Sequence, residues 1–139
     1  MEKMPNDPVE QIKYFVDTRR HLKEMSPIFL EKAPDGLIVI NEEGYICLVN
    51  ERAEFIFGYD RAEMEGQLIH VLLPEGSKRE GHGQHIINYF KNPSVREMGA
   101  DMVLEGRNKK GATFPIKVSL SPATTTEGVF AAAWVRRIL

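Results

Sequence analysis

The sequence predicts an α+β fold in which a five-stranded antiparallel sheet has short helices on one face. Two short runs rich in β-branched residues stand in the first half of the chain, and three longer runs stand at its end. Several short helical patterns lie between the two groups. At 139 residues the chain is the size of one domain, and strands grouped in this order favour antiparallel pairing with the helices gathered on one side.

Residues 1–27 are predicted to form an amphipathic helix, followed by the domain itself at residues 28–139. Asp7 is a candidate N-cap, and Pro8 suits the first helical position. Apolar residues then recur at spacings of three to seven, at Val9, Ile12, Phe15 or Val16, and Leu22. A single narrow stripe of this kind favours a homodimer formed through residues 7–25 and the sheet, or packing of the helix against its own domain.

The first hairpin is predicted from two β-rich runs, Leu37 to Asn41 and Tyr45 to Val49, which flank Glu-Glu-Gly. Asn50 is the candidate cap of the next helix, and a second short helix begins near Asp60. A longer helix is predicted from about Ser77 to Lys91.

The stretch "NPSVREMGAD", residues 92–101, is predicted to be a loop. Three strands follow it, Met102 to Arg107, Thr113 to Ser121 and Val129 to Ile138. In the middle strand, alternate apolar residues predict that one face lines the core or a pocket; these residues are Phe114, Ile116, Val118 and Leu120.

Composition argues against several classes of function. The net charge of -2 and the pI near 6.1 leave no basic excess for nucleic acid or an anionic membrane. The longest apolar run, Val129 to Val135, is too short to span a bilayer, and the first residues lack the pattern of a signal peptide, so we expect a cytoplasmic location.

The sequence also offers little for catalysis. Cys47 is the only cysteine, which excludes an internal disulfide, and its apolar surroundings predict a small buried side chain. No Ser-His-Asp order, phosphate-binding glycine loop or catalytic cysteine is visible, so we expect a protein that is not an enzyme.

Two stretches, "FLEKAPDGLIVINEEGYICLVNERAEFIFGYDRAEMEGQ" and "GRNKKGATFPIKVSLSP", resemble the PAS domain family in its bacterial sensory branch. The resemblance extends from about Phe29 to Ile138. It implies a PAS fold and a role in signal transduction. Such modules hold a small ligand or cofactor between the sheet and the long helix, or serve as ligand-free dimerisation scaffolds, and they relay their state to an output kinase, cyclase or regulator, often in a two-component system.

The stretch from His82 to Pro115 resembles, without a gap, the oxygen-sensing haem PAS domains of nitrogen-fixation sensor kinases. The resemblance implies that His82 is the ligand of a haem iron, with Tyr89 seven residues later. Two positions differ from those sensors: Met102 replaces an arginine and Arg96 replaces a histidine. A methionine can be a sixth iron ligand, and an arginine can pair with a haem propionate.

The helical spacing places His82, Ile86 and Tyr89 on one face. His85 is expected to face solvent or make an ordinary hydrogen bond. An apolar organic ligand or a fatty acid is an alternative to haem, because Ala131, Ala132 and Ala133 leave room near the sheet centre. The candidate cofactor-binding residues are His82, Ile86, Tyr89, Arg96, Met102, Val118, Leu120 and Ala133.

Overall fold

A computed structural model describes residues 7–9, 27–98 and 104–138; the side chains of residues 77–82 and 96–98 are not described. The helices are α1 (residues 27–31), α2 (Glu51–Phe57), α3 (Arg61–Met64), a 3₁₀ helix (Ile69–Leu72) and α4 (Ser77–Lys91). The strands are β1 (Gly36–Ile40), β2 (Ile46–Val49), β3 (Arg96–Met98), β4 (Leu104–Arg107), β5 (Thr113–Thr125) and β6 (Gly128–Arg137).

The sheet is antiparallel, with the strand order β2-β1-β6-β5. The far edge of β5 is shared by two short strands, since β3 pairs with Val118 to Leu120 and β4 pairs with Thr113 to Ile116. These two strands occupy a single position beside β5. The predicted α+β fold with a five-position antiparallel sheet is therefore confirmed.

Two details of the sheet differ from the sequence prediction. Residues 96–98 form β3 within the predicted loop, because this short polar stretch pairs with the long strand β5 rather than following a periodic pattern of its own. Cys47 is exposed rather than buried. The β1–β2 register shifts so that Val39 pairs with Leu48 and Ile40 with Ile46, which leaves Cys47 without a partner residue at a bulge.

The short helices are defined by their caps. The Asn50 side chain accepts a hydrogen bond from the backbone N–H of Ala53 at 3.0 Å and begins α2. Gly58 ends α2 in the left-handed conformation, with a φ of 73°. At α3 the Glu63 carboxylate accepts a hydrogen bond from the backbone N–H of Asp60 at 3.0 Å, as in a capping box.

The core lies between the inner face of the sheet and the helices. Gly36, Ile38 and Ile40 of β1 pair with Val135, Ala133 and Ala131 of β6, and all of these positions face inward. α2 contributes Ala53, Ile56 and Phe57, each of which is almost fully buried. This packing places α4 over the inner face of the sheet, where the candidate site forms.

The structure describes only the start of the predicted N-terminal helix. Residues 8 and 9 are helical, and the Asp7 carboxylate accepts a hydrogen bond from the backbone N–H of Val9 at 3.1 Å, as expected of an N-cap. The remaining stripe, from Ile12 to Leu22, lies outside the described residues. Within the described ranges, no helix has both the length and the apolar character needed to cross a membrane.

Candidate functional site

A cavity of about 180 Å³ lies between the inner face of the sheet and α4. Its floor comes from β1, β4, β5 and β6, its roof from α4, and its end from α2 and the 3₁₀ helix. The residues that border it are Ile38, Ile40, Phe57, Ile69, Leu72, Leu73, His85, Ile86, Tyr89, Phe90, Leu104, Glu105, Ile116, Val118, Leu120, Ala131, Ala133 and Val135.

Small side chains on β6 create much of this space. Ala131 and Ala133 border the cavity, whereas Ala132 between them alternates to the outer face, where it pairs with Val39 and Ser121. Two of the three alanines identified in the sequence therefore border the cavity. On the adjacent strand, Val118 and Leu120 also face inward, as their alternation predicted.

α4 closes the cavity with Ile86 and Tyr89, each 7% exposed. The Tyr89 hydroxyl donates a hydrogen bond to the Ser94 carbonyl at 2.9 Å, which ties the end of α4 to the segment before β3. Phe90 packs edge-on against the Tyr89 ring, with their centroids 5.4 Å apart. The roof of the cavity is thus fixed at its C-terminal end.

The β1–β2 turn approaches α4 closely enough to require a glycine. A Cβ atom added to Gly44 would lie 2.9 Å from Ile86 Cδ1, and the residue has a φ of +88°. Both the close contact and the left-handed backbone favour glycine here. The turn therefore helps to hold α4 against this end of the sheet.

The structure brings together several of the predicted site residues. Ile86, Tyr89, Val118, Leu120 and Ala133 all border the cavity. His82 belongs to α4, but its side chain is not described, and the same is true of Arg96 in β3. Met102 lies outside the described residues.

His85 is exposed, as expected, and it also borders the mouth of the cavity. Sequence reasoning also missed Phe57, Ile69 and Leu72, which form the end of the cavity. Their apolar character in short helices was visible in the sequence. Nothing in the local pattern showed that these helices would fold over the same cavity.

The cavity that the described residues enclose is small, at about 180 Å³. Pockets for drug-sized ligands have volumes of about 300–1,000 Å³, and haem is a large macrocycle. A cavity of about 180 Å³ is instead close to the size of roughly 150 Å³ that accommodates a single benzene ring. Among the described residues, no group of three or more His, Cys, Asp or Glu side chains is placed to hold a metal ion.

Several ion pairs among the described residues lie at the surface of the domain. Arg61 pairs with Glu31 and Glu54, and these carboxylates raise its pKa. Lys109 Nζ lies 2.6 Å from Glu63 Oε2, an ion pair that lowers the pKa of Glu63. Partial desolvation by its neighbours raises the pKa of the exposed Cys47 thiol, which favours the protonated form and disfavours a nucleophilic role.

Comparison with known families supports the resemblance seen in the sequence. The family model described as the PAS fold matches residues 28–136. The chain is 31% identical over 115 residues to the sensor protein FixL of Bradyrhizobium diazoefficiens, covering 82% of this chain and 22% of that protein. It is also 31% identical over 109 residues to the cell-division control histidine kinase PdhS of Brucella ovis, covering 78% of this chain and 10% of that protein. The chain thus spans less than a quarter of the length of either relative.

Solved structures show the same fold. The PAS domain of an HTR-like protein from Haloarcula marismortui superposes with a TM-score of 0.68 at 20% identity, covering 86% of this chain and 99% of that one. A PAS domain from a two-component sensor histidine kinase superposes with a TM-score of 0.69 at 12% identity, again covering 86% and 99%.

Proposed function

Because the chain belongs to the PAS family, we propose that it acts as a sensory input module that binds a small apolar ligand in the cavity beneath α4. The cavity of about 180 Å³ between sheet and helix carries this proposal. Occupancy of such a cavity can shift the balance between two conformations, provided that the ligand binds one of them more tightly. The module then passes its state to an output kinase, cyclase or regulator.

The lining supports an apolar ligand of modest size. Apart from His85, Tyr89 and Glu105, every residue that borders the cavity has an apolar side chain. Removing apolar surface from water stabilises binding by roughly 25 cal/mol for each Å². We therefore propose a binding role rather than a catalytic one, with a ligand about the size of one aromatic ring.

A series of packed side chains supports a route by which a conformational change could pass from the cavity to the end of β6. Phe57 borders the cavity, and its ring centroid lies 5.7 Å from that of Phe114. The Arg137 guanidinium lies over the Phe114 ring, 4.6 Å from its centroid. We propose that a ligand displaces Phe57 and that this change reaches Arg137 through Phe114.

Pocket filling tests the ligand proposal. Ala133→Leu adds side-chain volume inside the cavity, whereas Ala132→Leu makes the same change on the outer face of the sheet. With toluene as the probe, we expect a rise in melting temperature for the natural chain and for Ala132→Leu, and little or none for Ala133→Leu. Equal responses from all three proteins, or none from the natural chain, would contradict the proposal.

Haem is the competing occupant, since the sequence around His82 resembles haem-binding PAS domains and residue 82 belongs to α4. The absorption spectrum of the protein expressed with added haem distinguishes haem from a small apolar ligand. We expect no Soret band. A Soret band that disappears in His82→Ala would establish haem and would refute the small-ligand proposal.

We further propose that two chains associate through residues 7–25 and the outer face of the sheet. This face presents Val39, Leu48 and Trp134, of which Leu48 is 42% exposed. Apolar side chains on an open sheet face favour association. Deleting residues 1–25 should lower the mass measured by light scattering to that of a monomer. An unchanged mass would refute the proposed association through these residues.

A further inference from the structure

We propose that the ligand is a single-ring phenol whose hydroxyl group forms a hydrogen bond with His85 at the mouth of the cavity. This inference rests on the proposed function and specifies the chemical class of the ligand. It also identifies His85 as a residue that determines specificity.

The polar side chains around the cavity are few, and two of them are not available to a ligand. The Tyr89 hydroxyl already donates to the Ser94 carbonyl at 2.9 Å. Glu105 lies between Leu104 and Gly106, which pair with the core residues Ile116 and Phe114. Strand alternation therefore directs the Glu105 side chain to the opposite face, so its backbone borders the cavity.

Among the described residues that border the cavity, His85 is the polar side chain that remains. It precedes the buried Ile86 on α4, and it is both exposed and in contact with the cavity. Its side chain forms no hydrogen bond or ion pair with another described residue. A neutral imidazole carries one N–H donor and one nitrogen acceptor. His85 can therefore bind a polar group at the mouth without breaking an existing contact.

The surroundings select a hydroxyl group over a charged one. A carboxylate or ammonium would lose hydration against an apolar wall, and the described lining offers no opposite charge within the cavity. A hydroxyl is uncharged, and because it both donates and accepts, it suits either tautomer of the imidazole. The cavity volume of about 180 Å³ limits the apolar body to one ring with a small substituent.

Toluene and p-cresol test the inference, because they differ by one hydroxyl group on the same ring. Their affinities can be measured by calorimetry on the natural chain, His85→Leu and His85→Gln. One hydrogen bond contributes about 0.5–1.5 kcal/mol, which is roughly a 2- to 12-fold change in affinity. We expect His85→Leu to lower the affinity for p-cresol relative to that for toluene by that factor, while His85→Gln restores part of the difference.

The outcomes separate this inference from the proposed function. If toluene binds but the affinity for p-cresol does not depend on residue 85, the role of His85 is refuted and the cavity remains a ligand site. If His85→Leu weakens both ligands equally, the residue shapes the cavity and forms no specific hydrogen bond. If neither ligand binds the natural chain, both proposals are wrong.

Discussion

Replacing Asn50 by alanine should destabilise the domain more than an ordinary helix cap would. Asn50 is 1% exposed. Its Oδ1 atom accepts hydrogen bonds from the backbone N–H groups of Leu37 at 2.9 Å and Ala53 at 3.0 Å. Its Nδ2 group donates to the carbonyls of Leu30 at 2.8 Å and Asp35 at 3.0 Å. One side chain therefore joins α1, the segment before β1, β1 itself and α2.

The magnitude follows from these contacts. A hydrogen bond contributes about 1 kcal/mol net, and a buried group left without a partner costs about 1–3 kcal/mol. The four bonds of Asn50 thus give a loss of roughly 4 kcal/mol. Domains of this size are typically stable by about 5–15 kcal/mol, so the loss is a large part of the total. Urea denaturation followed by far-UV circular dichroism measures it directly.

Asn41→Ala is the matched control. The Asn41 Oδ1 atom also accepts from two backbone N–H groups, those of Glu43 at 3.1 Å and Tyr45 at 2.9 Å, but these bonds are exposed. Water can replace them, so we expect a loss below about 1 kcal/mol. If Asn50→Ala costs no more than Asn41→Ala, the reasoning from burial is refuted.

Two further predictions concern packing and charge. Gly106→Ala should cost about 1–3 kcal/mol in urea denaturation, because the new Cβ would lie 3.0 Å and 3.2 Å from the rings of Phe57 and Phe114; an unchanged midpoint would contradict the packing. The Lys109 ion pair lowers the pKa of Glu63 below its usual 4.5. The stabilisation that this ion pair gives to the folded domain is therefore present above pH 4.5 and is lost as the pH falls below that value. The small difference in melting temperature between the natural chain and Glu63→Gln should therefore vanish in acid, and a difference that persisted at low pH would have another cause.

Much of the fold could be predicted because its signals are local. The predicted long helix coincides with α4, from Ser77 to Lys91. The predicted strands coincide with β5 and β6 to within a few residues at each end. Alternation along a strand and capping at a helix start depend on residues close together in the sequence. β3 has no such signal, since its three residues become a strand by pairing with β5.

The site was predicted less completely, because only some of its residues have local signals in the sequence. Ile86, Val118 and Leu120 were identified because their periodicity assigns them to an inward face. The role of His85 at the mouth depends on how α4 lies over the sheet, and no spacing within the helix fixes that orientation.

By itself the sequence determined the order of the helices and of every strand except β3, the inward face of β5, the cap at Asn50 and the family to which the chain belongs. Only the tertiary structure decided that Asn50 joins four segments, that Cys47 lies in an exposed bulge, and that the cavity holds about 180 Å³. The volume of a cavity is what remains after side chains from distant parts of the chain have packed against one another, so no local pattern encodes it.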